Sequence, residues 1–227
     1  MSKDGRYVAK SQGGGATKAK SNMSLDIIYQ DEYIIAVNKP QALLSVPGLG
    51  PDKQDCLISR LVEQVPEAKV VHRLDCYTSG IMIFAIGIEM QRALNKIFHD
   101  RKIKKEYIAV VRRWFDEEQG VIKFPMRCDI DNRPHQIVDY EHGKSAITYW
   151  EILQRDNSAV RLLLKPETGR THQLRVHCLA MGYPIIGDGL YGNDEIKQRR
   201  MLLHADNLIF EHPVTGNEMV LSAECEF

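Results

Sequence analysis

Apolar residues along the chain gather in short runs of two kinds. Ile27-Ile28-Tyr29 and Tyr33 to Val37 are β-branched and aromatic clusters separated by the polar turn Gln30-Asp31-Glu32, which predicts two strands. Gly80 to Ile86 is an unbroken apolar run of strand length and predicts a buried strand. Leu57, Ile58, Leu61 and Val65 recur at helical spacing and predict a helix over 55–65. Met90, Ala93, Leu94, Ile97 and Phe98 stand at i, i+3, i+4, i+7 and i+8, the stripe of a core-facing helix. Tyr107 to Val111 reads as a strand, with others expected near 145–153, 159–164 and 206–210. A helix from Thr171 to Met181 follows Gly169 and stops at Gly182 and Pro184.

Helices interrupt this strand-rich order without regular βαβ alternation. The pattern predicts an α+β fold with a mixed, largely antiparallel sheet flanked by helices and loops. Neither an internal repeat nor a second linker interrupts residues 25–227, which are expected to form one domain. Residues 1–24 differ in texture: they hold Gly13-Gly14-Gly15, several Ser and Lys residues and almost nothing large and apolar. Such a segment does not offset its ordering entropy and is expected to be flexible.

Composition narrows the class. The 227 residues are 44% hydrophobic and 26% charged, which excludes wholesale disorder. The longest uncharged apolar run, Ile81 to Ile88, is far short of the ~20 residues of a membrane span. No apolar leader follows Met1, and the five cysteines form no C-x-x-C pair, so a reducing, cytoplasmic setting is expected. Net charge is zero, yet residues 1–24 carry five cations against Asp4 alone. A global basic field is therefore absent, and a nucleic-acid partner must be held by local clusters. Arg101-Lys102-Ile103-Lys104-Lys105, Arg112-Arg113 and Arg199-Arg200 are such clusters, although each also suits a solvated surface.

Two segments carry candidate chemistry. In Val70-Val71-His72-Arg73-Leu74-Asp75-Cys76-Tyr77-Thr78-Ser79-Gly80, an apolar strand delivers Arg73 and Asp75 to a polar turn. Two apart in an extended chain, they point the same way while His72 and Leu74 point the other. A structural Arg–Asp pair and a functional one both fit. In Lys165 to His177, Arg170, His172 and Arg175 crowd the start of the predicted helix, where the helix dipole disfavours cations. An anion, either a carboxylate or a phosphate, is expected to receive them. His172 and His177 are five apart, off a common helical face, so no metal site is expected there.

Together these segments resemble the RluA-type pseudouridine synthases, which isomerise uridine within RNA. The resemblance runs over nearly all of 25–215. His72-Arg73-Leu74-Asp75-x-x-Thr78-Ser79-Gly80 is joined in order by Asn38-Lys39-Pro40, Lys105-Glu106-Tyr107, Gly169-Arg170-x-His172-Gln173-Leu174-Arg175-x-His177, Gly187-Asp188 and Leu203-His204-Ala205. It implies a catalytic carboxylate at Asp75, an arginine partner at Arg175 and an active-site tyrosine at Tyr107. Arg73, His72, Thr78, Arg170, His172 and Leu174 are implied as substrate-binding, with Arg73 filling the stack left by a flipped uridine. The reaction breaks N1–C1′ and rejoins the uracil through C5, losing no atom, so neither metal nor cofactor is implied. The expected partner is structured RNA acted on by a monomer. The short members, which this chain matches in lacking an added N-terminal RNA-binding domain, are similar to the enzyme acting on a 23S rRNA stem-loop and on uridine 32 of the tRNA anticodon stem-loop. A stem-loop RNA-binding protein without catalysis is the alternative, and it would require loss of Asp75, Tyr107 or Arg175. One departure stands out: Ala42 occupies a position usually held by Gly, which is expected to stiffen its loop.

Overall fold

The computed structural model describes residues 24–112, 117–156, 158–192 and 200–227. The expectations for residues 1–23, Arg113 and Arg199 lie outside the described residues. A hairpin of β1 (Asp26–Gln30) and β2 (Ile34–Lys39) opens the fold, its turn held by Asp31, which accepts from the Tyr33 and Ile34 amides at 2.7 Å. A short α1 (Leu57–Leu61), β3 (Ala68–Val70), β4 (Ser79–Ile86), α2 (Ile88–His99) and β5 (Lys104–Val111) follow. After these come β6 (Gln119–Ile122), β7 (Met126–Cys128), β8 (Gln136–Val138), β9 (Thr148–Arg155), β10 (Val160–Pro166), α3 (Gln173–Ala180), β11 (Leu203–Glu211) and β12 (Glu218–Ser222).

The described residues form a ten-stranded sheet in the order β1-β2-β4-β11-β5-β10-β9-β6, with β3 added to β4 and β12 to β11, while β7 and β8 form a separate hairpin. Its strand pairs are antiparallel with one exception, β4 against β11. The fold is thus α+β with a mixed, largely antiparallel sheet, as the residue pattern predicts.

The parallel pairing is short, Ser79 to His204 and Gly80 to Ala205, and it joins two hydrophobic cores. One core packs β2, β4, α1 and α2, including Ile34, Leu61, Phe84 and Leu94. The other packs β5, β10, β11 and α3, including Val111, Leu164, Leu174 and Leu203. At the junction Gly80 has φ +106, and a Cβ there would lie 2.2 Å from the Ala205 carbonyl oxygen, so only glycine lets the strands meet. Ser79 Oγ lies 2.9 Å from His204 Nδ1, and His204 Nε2 donates to the Ala223 carbonyl at 2.9 Å. Sequence motifs 125 residues apart are thereby fastened together.

Several boundaries differ from the sequence pattern for local reasons. The helix expected over 55–65 is α1 plus a turn, because Val65 precedes Pro66 and is pushed out of helical geometry. The expected Thr171 start moves to Gln173, because His172 adopts a left-handed φ of 54. β3 stops at Val70, so Val71 to Asp75 run on without strand pairing, although His72 and Leu74 still turn inward and Arg73 stays exposed. Ala42 has φ 61, the left-handed region that glycine adopts freely. The loop is strained at that alanine.

Candidate active site

Val71 to Thr78 and the start of α3 face one another across the junction of the two cores. Between them lies a cavity of about 870 Å³, lined among others by Arg73, Asp75, Tyr107, Arg170, His172 and Arg175. A smaller recess of about 110 Å³, bordered by Thr78, Tyr107, Leu174 and Leu203, adjoins it. Of the nine site residues expected from sequence, all but Thr78 and Leu174 line the larger space, and those two line the recess.

Arg175 organises the centre. Its Nε and Nη2 donate to the two oxygens of Asp188, each at 2.7 Å, and its Nη1 donates to Asp75 Oδ2 at 3.1 Å. The Tyr191 ring lies under its guanidinium, 5.0 Å from centroid to Cζ. Burial opposes the Arg175 charge, but the two carboxylates more than compensate and raise its pKa. Burial alone would raise the Asp188 carboxyl; the Arg175 bonds and the Leu190 and Tyr191 amides reverse this and hold it below the ordinary aspartate value. The anion expected at the helix start is therefore a pair of carboxylates, one structural and buried, one facing the cavity.

Asp75 is partly exposed, and its described contacts converge on one oxygen: Arg175 at 3.1 Å and His172 Nε2 at 3.8 Å both approach Oδ2. The Asp75 carbonyl accepts from the Thr78 amide at 3.1 Å, closing the turn that presents the carboxylate. That turn is anchored from below by Lys39. Its fully buried ammonium donates to the carbonyls of Pro40, Leu43 and Cys76 at 2.9, 2.8 and 3.0 Å, satisfying its three protons. Burial lowers the Lys39 pKa to about 8, so the ammonium is still charged at neutral pH.

Tyr107, on β5, borders both cavities, and burial followed by the nearby Asp75 charge pushes its phenol well above the ordinary tyrosine value. It is a proton donor, not a phenolate, at neutral pH. His72 has a mixed position: its ring borders the cavity and stacks on Phe98 at 4.7 Å, while its Nε2 accepts from the Ile83 amide at 3.0 Å. Burial drives its pKa to about 3, so it presents a neutral ring. Arg170 lines the cavity and is steadied by the Ser145 carbonyl at 3.1 Å.

The expected basic clusters divide. Lys105 reaches into the cavity near the Thr168 carbonyl at 3.5 Å, whereas Arg101 and Lys165 pair with Glu167 and Glu151 at 3.0 and 3.4 Å. Arg200 pairs with Glu226 at 2.7 Å, away from the cavity. His177 is buried inside α3, its Nε2 donating to the Phe124 carbonyl at 3.1 Å. Among the described residues, no three His, Cys, Asp or Glu side chains gather as a metal-holding group. No helix among them is long and apolar enough to cross a membrane.

Sequence reading missed Lys39, Gln173, Asp188 and Tyr191 as site residues. Gln173 uses both ends of its amide: Oε1 accepts from Thr168 Oγ1 and the Arg170 amide at 2.7 and 3.0 Å, and Nε2 donates to the Ile147 carbonyl and Thr148 Oγ1 at 3.0 Å. Lys39, Gln173 and Asp188 lie inside quoted motifs, which was the available signal; Tyr191 stands three residues beyond Gly187-Asp188 and carried none.

A family model described as RNA pseudouridylate synthase matches residues 33–180. The dual-specificity RNA pseudouridine synthase RluA of Yersinia pestis is 46% identical over 204 residues, covering 88% of this chain and 99% of that protein. Its counterpart in Escherichia coli K12 is 44% identical, covering 89% of this chain and 94% of that one. Among solved structures, human RNA pseudouridylate synthase domain containing 1 superposes with TM-score 0.74 at 28% identity, covering 88% of this chain and 83% of that one. Human RNA pseudouridylate synthase domain containing 4 shares the fold at TM-score 0.72 and 23% identity, covering 88% of each chain.

Proposed function

The chain belongs to the RNA pseudouridylate synthase family and is an RNA-uridine isomerase, and from that premise we propose that it converts uridines in structured stem-loops through Asp75. The substrates are a 23S rRNA stem-loop and the tRNA anticodon stem-loop at uridine 32, in keeping with the dual specificity named for its relatives. One arrangement carries this reading: Asp75 is held through Oδ2 by Arg175 on the wall of an 870 Å³ cavity, with Oδ1 left for a substrate.

A stacked uridine does not reach such a cavity, so it must be flipped out at a cost of a few kcal/mol. Arg73 stands exposed two residues before Asp75, and its planar guanidinium suits the vacated stack. Lys105 and Arg170 hold flanking phosphates, which set register rather than sequence choice. With the nucleotide seated, Asp75 Oδ1 faces the ribose. Attack at C1′ and removal of the C2′ proton both begin at this oxygen, and both release uracil by breaking the N1–C1′ bond. The freed base turns and its C5 bonds to C1′, as the Asp75–C1′ bond breaks on the first route or as Asp75 returns the proton to C2′ on the second; C5 then loses its proton while N1 takes one up. Arg175 orients the carboxylate through its 3.1 Å bond to Oδ2. Tyr107, protonated and bordering the recess, faces the uracil and supplies a hydrogen-bond donor. Thr78 and Leu174 bound the recess that takes the base, and the neutral ring of His72 adds an apolar face. No step calls for a metal or redox cofactor. The protein is proposed to work on RNA as a monomer in the cytoplasm.

The test is conversion of a synthetic anticodon stem-loop, read by carbodiimide treatment and reverse transcription. A new stop at the target uridine supports the reading. RNA that shifts on a gel but gains no stop makes the protein a stem-loop binder instead.

A further inference from the structure

We infer that Gln136, Tyr191 and His172 form a fixed hydrogen-bond chain that holds His172 as its neutral Nε2–H tautomer against Asp75, so that His172 and Tyr191 are positioning residues for the reaction. The inference rests on the assignment of Asp75 as the reacting carboxylate. The shared atom is the Tyr191 hydroxyl oxygen. The backbone N–H of Gln136, on β8, donates to it at 2.8 Å, and a backbone amide has no other role to play. On its other side His172 Nδ1 lies 2.8 Å away. The phenolic proton fits between the two, and Nδ1 then carries a lone pair. The ring proton must sit on Nε2, the nitrogen 3.8 Å from Asp75 Oδ2. That distance is longer than a formed bond, and such contacts commonly tighten when substrate enters.

Two further observations point the same way. Tyr191 also supports the other donor on Oδ2, since its ring underlies the Arg175 guanidinium and its amide donates to Asp188 at 3.0 Å. One residue thus fixes both groups that turn the carboxylate. His172 itself sits at φ 54, a backbone conformation an imidazole bears at a cost and glycine or asparagine would bear more easily. The charged and titratable groups around the imidazole are Asp75, Arg175, Asp188 and His135, with Tyr191 in direct contact. Burial holds it below the ordinary histidine value against the upward pull of Asp75, which keeps it neutral near pH 7.

The consequence is a carboxylate oriented by two donors on one oxygen. Protonating His172 would require the Tyr191 proton to leave Nδ1 and would draw charge onto Oδ2, weakening Oδ1. The test uses the full-length protein, nitrogen-15 NMR of the histidine rings and single-turnover rates on an anticodon stem-loop. We expect the Nε2–H signature at His172. Tyr191→Phe removes the donor to Nδ1, so the His172 titration and the acid limb of the rate should move up together, by about half to one pH unit. RNA affinity should change less than twofold. His172→Gln can still present a donor where Nε2 stood, whereas the shorter His172→Asn cannot. The asparagine variant should be about 10-fold or more slower than the glutamine variant, and adding Tyr191→Phe to His172→Gln should not produce the acid-limb shift that Tyr191→Phe produces alone. An Nδ1–H ring in the wild type would overturn the inference. So would a Tyr191→Phe variant slowed equally at every pH with His172 titrating as before, because that is the behaviour of lost ring packing. If the wild type converts no RNA, the function itself is wrong, and the NMR signature still decides whether the chain of hydrogen bonds exists.

Discussion

Arg175 grips two carboxylates, and removing each should produce opposite defects. Asp188 is fully buried and receives two charge-assisted bonds of 2.7 Å from Arg175, together with the Leu190 and Tyr191 amides at 2.9 and 3.0 Å. Asp188→Asn removes the charge and places amide protons against those donors. Breaking one side of a buried pair costs about 3–5 kcal/mol, a large share of the roughly 5–15 kcal/mol that holds a domain folded. Urea unfolding at neutral pH should show this as a lower midpoint with an unchanged slope. Acid adds a second signature. The folded carboxyl of Asp188 lies below its ordinary value, so its stabilisation is complete above the unfolded pKa of about 3.9 and is lost as pH falls toward the folded value. The gap between wild type and variant should therefore narrow from about pH 5 downward. Asp75 is different, a quarter exposed and bound by Arg175 through a single 3.1 Å contact. Asp75→Asn should cost no more than about 1 kcal/mol, leave RNA affinity within a few fold, and cut single-turnover conversion more than about 100-fold. Equal urea midpoints for Asp188→Asn and wild type, or a gap constant from pH 7 to 3, would refute the assignment of Asp188 as the structural anchor. Retention of more than about one percent of turnover by Asp75→Asn would refute that of Asp75 as the reacting group.

Other perturbations test separate parts of the fold and site. Arg73→Ala should slow conversion of a fully structured stem-loop more than that of an RNA whose target uridine is already unstacked; equal losses recovered by more enzyme, with a salt slope shallower by about one, would make Arg73 a phosphate contact. Ala42→Gly relieves a left-handed alanine and should raise stability by about 0.5–1 kcal/mol, read as a higher melting temperature. Gly80→Ala drives a Cβ to 2.2 Å from the Ala205 oxygen and should cost about 3 kcal/mol or more, whereas Gly182→Ala, with no atom within 4 Å of its Cβ, should cost only about 1 kcal/mol. Exhaustive EDTA dialysis should leave conversion intact once RNA folding is controlled for; recovery only with added zinc would redirect attention to His172, His177 and His204.

The site was readable where its logic is local. Alternation in an extended chain was enough to set Arg73 and Asp75 apart from His72 and Leu74, and the dipole argument was enough to demand an anion for Arg175. Which anion took the inner place was not readable, because Asp188 reaches Arg175 only after the chain has left α3 and turned back through Gly187. The same holds for Lys39, whose three carbonyl partners belong to two loops, one of them 37 residues away. β6, β7 and β8 were missed because three or four residues carry too little alternation to stand out from loop. Their importance is out of proportion to their length, since β8 supplies the amide that fixes Tyr191. Ala42 was readable as a departure but not as a left-handed residue, since nothing in its neighbours sets the sign of φ.

The two-residue parallel seam between β4 and β11 also governs when activity can arise. Asp75 belongs to the segment packed on the first core, and Arg175 and Asp188 to the segment packed on the second, a hundred residues later. Closing a loop of that length is slow to nucleate and is rewarded only once distant contacts form. A chain with either half organised alone has a carboxylate without its arginine, or an arginine without its carboxylate. If Asp75 reacts as proposed, catalytic competence should therefore arise with the joining of the two halves and not with the folding of either alone. Turnover regained on refolding should then report the joining of the halves, and far-ultraviolet circular dichroism the secondary structure within each.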